Sequence, residues 1–526
     1  MPGESAGRRG SRRYVRGVYV DQLTHHAATI GDRIAITDDR RGEQVRELNY
    51  AAFNDLANQV ANGLATLGIE PGAHVAWWGN NSLETMCTIH ACRKAAAISV
   101  PIPYRSTDDE ALYLLSNANV AALVVEAQYA PLVADLAARL PELEHVIVYG
   151  GPPLAGQLAW DEILGSPTAP VAERSMQATN MVIYTSGTTG RPKGAVKEIG
   201  GAPNEFPPLL EALGWPSMER LSFLTTGPLY HSGPSGFALR AQAVGGTIVT
   251  QHQFDPVDWL RLVDTYQITA TFSAPTPIRR ICAVPDDVKT GYDVTSMRTM
   301  VANAAPWTMT LKEAYLRDFP ADSLWEVYGS TELSLVTALA PEDQLRKPGS
   351  CGRAAPGVEI KLLDENGTEI VVPGVPGELF ARSAGVFETY HRAHDQYLED
   401  HRDGFHTGGD IAYRDNEDYF YICDRKKDMI ITGGVNVYPA EVENVLDAHP
   451  DVREVAVIGV PDDEWGEAVC AIAVPNGSLD PESLMAFAAE HLSGPKRPKR
   501  VVIVDELPKT GTGKVLKRAL RESLIA

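Results

Sequence analysis

Hydrophobic and polar positions follow two rhythms along the chain. From Tyr50 to Leu67 apolar residues recur at helical spacing until Gly68 and the Pro71-Gly72 turn, which predicts a helix; Val75 to Trp78 then reads as a short buried strand. Leu83 to Ala97 predicts a second helix, leading to the Pro-bounded strand Ser99 to Pro103, and Ala121 to Val125 and Val146 to Tyr149 are further strands. The alternation continues through Leu221 to Thr225, Gly246 to Thr250, a helix from Pro256 to Tyr266, and strands at Ala270 to Pro275 and Met300 to Ala305. This pattern predicts an α/β fold with a mainly parallel sheet.

From Gly352 strands and turns take over. Val358 to Leu363, the turn Asp364-Glu-Asn-Gly367 and Gly377 to Ala381 predict a small β subdomain at about 350–423 of a large domain spanning 17–423. The charged link Asp424-Arg-Lys-Lys-Asp428 marks the domain boundary. Residues 429–526 then predict a compact α+β domain: a strand from Met429 to Ile431, a Gly-Gly turn, a helix from Pro439 to Ala448, strands Val452 to Val460 and Ala468 to Val474, a helix from Pro481 to His491, the strand Val501 to Val504 and a last helix.

Composition narrows the function. A net charge of -21 over 526 residues argues against a nucleic-acid surface. Five arginines between Arg8 and Arg16, set among glycine and serine, read as a disordered basic tail over residues 1–16; a targeting or membrane-tethering role is weakened because no apolar segment follows. No window approaches 18 consecutive apolar residues, so no integral membrane segment is expected and a cytoplasmic location is. Cys87, Cys92, Cys282, Cys351, Cys423 and Cys470 form no CxxC pair and have no histidine at metal spacing; buried free thiols are the simplest account.

The strongest chemical signal is Tyr184-Thr-Ser-Gly-Thr-Thr-Gly-Arg-Pro-Lys-Gly194, directly after the apolar run Met181 to Tyr184. Its glycines let backbone N–H groups approach an oxyanion, its hydroxyls add donors, and Arg191 and Lys193 raise the potential where a polyphosphate would lie. A P-loop NTPase would need Ser or Thr after Gly-Lys, whereas here Pro192 precedes Lys193 and Gly194 follows it. A flexible Gly/Thr linker is the plainer alternative, and linkers rarely carry Arg-Pro-Lys at a strand end. Farther on, Tyr328-Gly-Ser-Thr-Glu332 sets a carboxylate beside hydroxyls and a glycine turn, which suits a Mg2+ ion bound partly through a nucleotide phosphate. Asp410, in His406-Thr-Gly-Gly-Asp410, can accept from both hydroxyls of a ribose, with Arg425 a strand away, and Lys514 ends a glycine-rich stretch able to deliver a point charge to another domain's site.

In this order the motifs resemble those of the adenylate-forming superfamily of acyl-CoA synthetases, peptide-synthetase adenylation domains and luciferases, from about Val20 to Leu520. The resemblance implies a large adenylation domain followed by a mobile C-terminal domain. It implies nucleotide contacts from Thr185, Ser186, Gly187, Thr188, Thr189, Gly190, Lys193, Asn303, Ala304, Ala305, Tyr328, Gly329 and Thr331, with Tyr328 stacked on adenine. It assigns the ribose to Asp410 and Arg425, Mg2+ to Glu332, catalysis to Lys514, Thr188 and Glu332, and the second half reaction to the face carrying Gly433 and Gly434. Three departures stand out: Ala96 replaces a usual glycine, Ala195 to Gly200 lacks the usual His-x-Asn, and Ala302-Asn-Ala-Ala-Pro306 varies on Gly-Gly-Ala-Pro.

A carboxylate is ionised at neutral pH and needs no general base to attack the α-phosphate of ATP; it needs charge cancellation and in-line placement. The expected reaction is formation of an acyl adenylate and then a CoA thioester, so the implied cofactors and partners are ATP, Mg2+, CoA and a small carboxylic acid, fatty or aromatic. The acid pocket is expected around His231, Gly233, Phe237 and Ala302, and the lack of an aspartate near His231 disfavours an amino acid. Transfer to an acyl-carrier protein or an amine, activation of nitrite, and a nucleotide-binding homologue without catalysis are the alternatives. Homodimerisation is left open.

Overall fold

Asn49 accepts from the backbone N–H of Ala52 at 2.8 Å and so starts the helix Tyr50–Thr66 directly after the strand Arg46–Asn49. Leu83–Lys94 buries almost everything it carries, and Tyr50–Thr66 buries one face, because they pack between two sheets. Tyr50, Phe53, Met86 and Cys87 pack on Val75 and Trp77 from one sheet and on Ile36, Phe223 and Ile248 from the other. Polar groups in this layer are paired: Tyr50 donates to Gly246 O at 2.7 Å, and His90 Nε2 meets Gln242 Oε1 at 2.8 Å.

The computed structural model describes residues 21–165, 179–185, 192–199, 207–305, 307–509 and 515–525. Among these residues, the first sheet has eight strands, with the parallel core Thr179–Thr185, Ile98–Ile102, His74–Trp78, Val120–Glu126 and His145–Tyr149. The second has nine, with a parallel run of Leu324–Ser330, Thr299–Ala302, Ala270–Ser273, Ser222–Thr225, Thr247–Thr250 and Ile34–Asp38. Helices Asp108–Ala118 and Ala130–Ala137 cover the outer face of the first sheet, while Pro256–Tyr266, Pro275–Cys282 and Met309–Asp318 cover that of the second. The α/β class with parallel-rich sheets is as the alternation implied.

Glu359–Leu363, Gly377–Arg382, Phe405–Arg414 and Phe420–Arg425 build the antiparallel β subdomain. The last of these strands runs beyond Cys423, because Asp424 pairs with Ile411 and Arg425 with Asp410; the first two residues of the charged link are therefore strand. In the C-terminal unit, Val452–Asp462 and Gly466–Pro475 form a long hairpin, covered on one side by Pro439–Leu446 and Pro481–His491 and on the other by Lys517–Ile525. All six cysteines are free, with Cys282 and Cys423 half-buried and the others buried.

Two departures from the family pattern acquire a backbone meaning. Ala96 sits at φ +54° and Ala304 at φ +75°, the left-handed region that glycine occupies without steric penalty. Alignment on Pro306 places Ala304 at the second glycine of Gly-Gly-Ala-Pro. The chain keeps the conformation and lacks the residue suited to it.

Candidate active site

Thr179–Thr185 and Lys193–Ile199 pair antiparallel, with Thr185 directly opposite Lys193. The glycine-rich stretch is thus the connection of a hairpin whose two ends open onto one cavity of about 530 Å3. Ser186, Gly187, Thr188, Thr189 and Gly190 lie outside the described residues, as does Lys514.

At the mouth of that hairpin Thr185 donates to Glu332 Oε1 at 3.1 Å, and Tyr390 Oη donates to the same oxygen at 3.2 Å. Burial and the neighbouring Glu332 carboxylate raise the Tyr390 phenol above its ordinary range, so it stays a donor. Lys193 Nζ lies 5.5 Å from the centre of the Tyr390 ring. Glu332 is positioned by two hydroxyls and carries no direct cation contact among the described residues. No group of three or more His, Cys, Asp or Glu side chains arranged to hold a metal occurs among the described residues. A Mg2+ ion fits Glu332 as a single protein carboxylate, with phosphate oxygens and water completing its shell, the usual arrangement for Mg2+ with nucleotides.

Tyr328 and Gly329 end the strand Leu324–Ser330, and a Cβ at 329 would fall 1.9 Å from Ser334 O, so the turn requires glycine. Thr331 hydrogen-bonds to Ser232 through the two hydroxyls at 2.9 Å, and its carbonyl accepts from Lys197 Nζ at 2.8 Å. Tyr328 Oη donates to Asp410 Oδ2 at 2.6 Å, and Arg425 Nε meets Asp410 Oδ1 at 3.2 Å across the strand pair. Burial pushes the Tyr328 phenol well up, and the Asp410 charge pushes it further; burial alone would lower Arg425, but Asp410 and Glu332 raise it. Asn303 donates to Val327 O at 2.7 Å, fixing the turn that carries Ala304, and both residues line the cavity. Ala305 ends that described turn without joining the wall.

One end of the cavity is made by the helix Ser232–Ala243, where the sequence places the acid pocket. Gly233 faces the Phe272 ring, which a Cβ would meet at 2.4 Å, and Phe237 stacks on Phe272 with centroids 5.4 Å apart. His231 packs on Tyr230 at 4.2 Å, its Nε2 is buried without a partner, and burial takes its pKa down to about 3. It is a neutral wall, not a proton carrier at physiological pH. Ala302 is fully buried in the core beside Met300, Trp307 and Leu311, behind the cavity wall; the sequence expectation had set it against the acid. Gly433 and Gly434 form the turn between Ile430–Thr432 and Val435–Val437 at φ +56° and +76°, outside the cavity, with Gly433 packed against Trp465.

Sequence reasoning missed Tyr390, Lys197 and Arg240, all of which line the cavity. Lys197 lay within the segment that departs from His-x-Asn, the one available hint.

A hydroxyl-rich hairpin end, a hydroxyl-held carboxylate, and Arg425 around one cavity, with Tyr328 and the Asp410 that pairs with Arg425 set behind its wall, define the class of an adenylate-forming enzyme. The AMP-binding enzyme family matches residues 23–391, and the AMP-binding enzyme C-terminal domain matches residues 441–514. The chain belongs to this family, as an AMP-forming acid-activating ligase. It is 36% identical over 484 residues to a feruloyl-CoA synthase of an Amycolatopsis species, covering 90% of this chain and 93% of that protein. Among solved structures it resembles an anthranilate CoA ligase in complex with anthranoyl-AMP, with a TM-score of 0.86, 26% identity and coverage of 96% of this chain and 98% of that one. It also resembles an amide bond synthetase from Marinactinospora thermotolerans, with a TM-score of 0.82, 27% identity and coverage of 95% and 99%.

Proposed function

We propose that the protein is an ATP-dependent acid:CoA ligase. A carboxylate oxygen of the acid attacks the α-phosphorus of ATP, the bond to pyrophosphate breaks, and an acyl adenylate forms. The sulfur of CoA then attacks the acyl carbon, AMP leaves, and the thiol proton passes to solvent. The observation that carries this reading is the pairing of Thr185, at the end of the glycine-rich hairpin, with Glu332 at 3.1 Å.

In this scheme residues 185–190 and Lys193 cradle the polyphosphate, with Thr188 in contact with it. Thr331 faces the α-phosphate, and Asn303, Ala304 and Ala305 flank adenine with Tyr328. Asp410 and Arg425 hold the ribose. Mg2+ on Glu332 would cancel phosphate charge. Lys514 stabilises charge developing between the acid and the α-phosphate, and withdraws for the thiol step as the Gly433-Gly434 face turns in about residues 424–428. That link is tied to the small domain by Lys517 to Asp424 at 3.3 Å and Arg521 to Asp428 at 2.8 Å, contacts that a rotation would exchange. Residues 1–16, which the sequence reads as a basic tail, lie outside the described residues. No helix among the described residues is long and apolar enough to cross a membrane, and a reaction fed by ATP and CoA belongs in the cytoplasm.

The test is pyrophosphate release from purified protein with Mg-ATP over a panel of fatty, aryl and small acids plus nitrite, each with and without CoA. Release that depends on an acid and turns over repeatedly only with CoA supports the ligase. A single stoichiometric burst unchanged by CoA, relieved by an amine or a carrier protein, would move the assignment to those acceptors; the amide bond synthetase among the neighbours makes the amine arm worth including.

A further inference from the structure

Two cations in the cavity wall have no part in the adenylation scheme. Arg240 lies in the last turn of the helix Ser232–Ala243, and its side chain leans back toward the helix N-terminus, over the residue one turn earlier. That residue is Gly236, where a Cβ would come 2.7 Å from Arg240 Nη1, so the glycine makes room for the guanidinium. The guanidinium lies 5.6 Å from the centre of the Phe237 ring, and among the described residues no carboxylate and no hydrogen-bond acceptor pairs with it. It is partly exposed, on the cavity side, and burial lowers its pKa.

Lys197 enters the same cavity from the strand Lys193–Ile199. Its Nζ donates to Thr331 O at 2.8 Å, and no described carboxylate lies within ion-pair range. Burial first, and then the nearby Arg240 charge, brings its pKa down to about 8. Around these two groups the wall is largely apolar, with Met181, Ile183, Phe237 and Phe272. A cation that a ligand covers is strongly disfavoured without a counterion, and a planar guanidinium fork matches a carboxylate in a two-point geometry. Among the described residues the wall supplies the positive half of such a pair, and a ligand entering the cavity can supply the negative half.

We infer that the acid is a dicarboxylate: its reacting carboxylate lies at the Thr331–Glu332 end, and its second carboxylate is held by Arg240 with Lys197 beside it. The inference rests on the acid-activating reading above and deepens it by naming the substrate class. Hydrophobic monoacids would leave Arg240 buried and unpaired, whereas a second carboxylate satisfies it.

The experiment compares aliphatic and aryl diacids of graded length with their half-amides, which keep the shape and lose one charge. Pyrophosphate release with Mg-ATP should favour at least one diacid over its half-amide by about 100-fold or more in kcat/KM, the scale of breaking one side of a buried ion pair. Arg240→Met should lose a similar factor on that diacid, and Arg240→Lys should recover part of it. Thermal unfolding separates this role from a structural one: Arg240→Met should unfold at the same or a higher temperature than wild type, since it removes an unpaired charge. Monoacids or half-amides used as well as diacids would overturn the inference while leaving the ligase reading intact. If no acid supports release, that reading fails, and calorimetric titration with the diacids decides this one: binding by wild type and not by Arg240→Met upholds it, and equal or absent binding overturns it.

Discussion

Lys197 offers a pH test of the acid pocket. Its pKa falls from 10.5 to about 8 through burial and the facing Arg240 charge. At about 1.4 kcal/mol per unit, the charged form is disfavoured by at most about 3.5 kcal/mol. The linkage has a definite sign. Between pH 8 and 10.5 the unfolded chain holds this proton and the folded chain has released it, so this group's contribution to stability improves as pH rises through that window; below about 8 the whole penalty is present. A bound carboxylate reverses the preference, because it favours the ammonium. The acid should therefore bind best below pH 8, with kcat/KM falling toward tenfold per pH unit above it. The assay is pyrophosphate release at saturating Mg-ATP and varied acid over pH 6.5–9.5, a profile that reads ionisations of the nucleotide-loaded enzyme free of acid. Wild type should bend downward near pH 8. Lys197→Met should be lower and lack the bend, and Lys197→Arg should keep activity to higher pH. The same bend in Lys197→Met, or a wild-type profile flat to pH 9.5, would refute the argument.

Three further outcomes follow from other parts of the molecule. Asp410→Asn removes a charge that accepts from Tyr328 and pairs with Arg425, so KM for ATP should rise by roughly 10- to 100-fold, the scale of a hydrogen bond to a charged group, with kcat less affected; a change confined to KM for the acid would contradict the ribose assignment. Lys514→Ala should abolish acid-dependent pyrophosphate release while sparing transfer from preformed acyl adenylate to CoA; equal loss of both half reactions would sink the alternating-domain scheme. Ala96→Gly relieves a left-handed alanine at φ +54°, a gain of about 1–2 kcal/mol that the greater freedom of glycine in the unfolded chain offsets by about 0.4–1; a small rise in Tm is expected, and a fall would show that the strain is absent.

How far the sequence reaches depends on how far apart in the chain the cooperating residues lie. The helix Pro256–Tyr266 and the helix Pro481–His491 match their predicted bounds, because a proline start and a regular apolar face are local signals. Asp410 and Arg425 could be paired in advance, since one turn separates the strands that carry them. The strand Ile34–Asp38 was not placed, because its partner Thr247–Thr250 lies some two hundred residues away and only closure of the second sheet brings them together. Tyr390 was likewise invisible: it reaches Glu332 only after the short strand Thr389–Tyr390 docks on the edge of the hairpin strand Lys193–Ile199.

Arg240 shows why side-chain direction is the hardest of these to read. A cation in the last turn of a helix is ordinarily a solvated residue that complements the helix dipole, and nothing in the spacing around Arg240 contradicts that. The fold changes its meaning. The helix Ser232–Ala243 packs Phe237, Ala238 and Ala241 into the core between the sheets, which leaves Gly233, Gly236 and Arg240 along the cavity side. Two small residues on that side make room, and the arginine adds a charge to the same wall. In the one-dimensional pattern, Gly233 and Gly236 indicated room for an alkyl chain or a ring; with Arg240 folded over Gly236, the same room includes a group that an alkyl chain cannot satisfy.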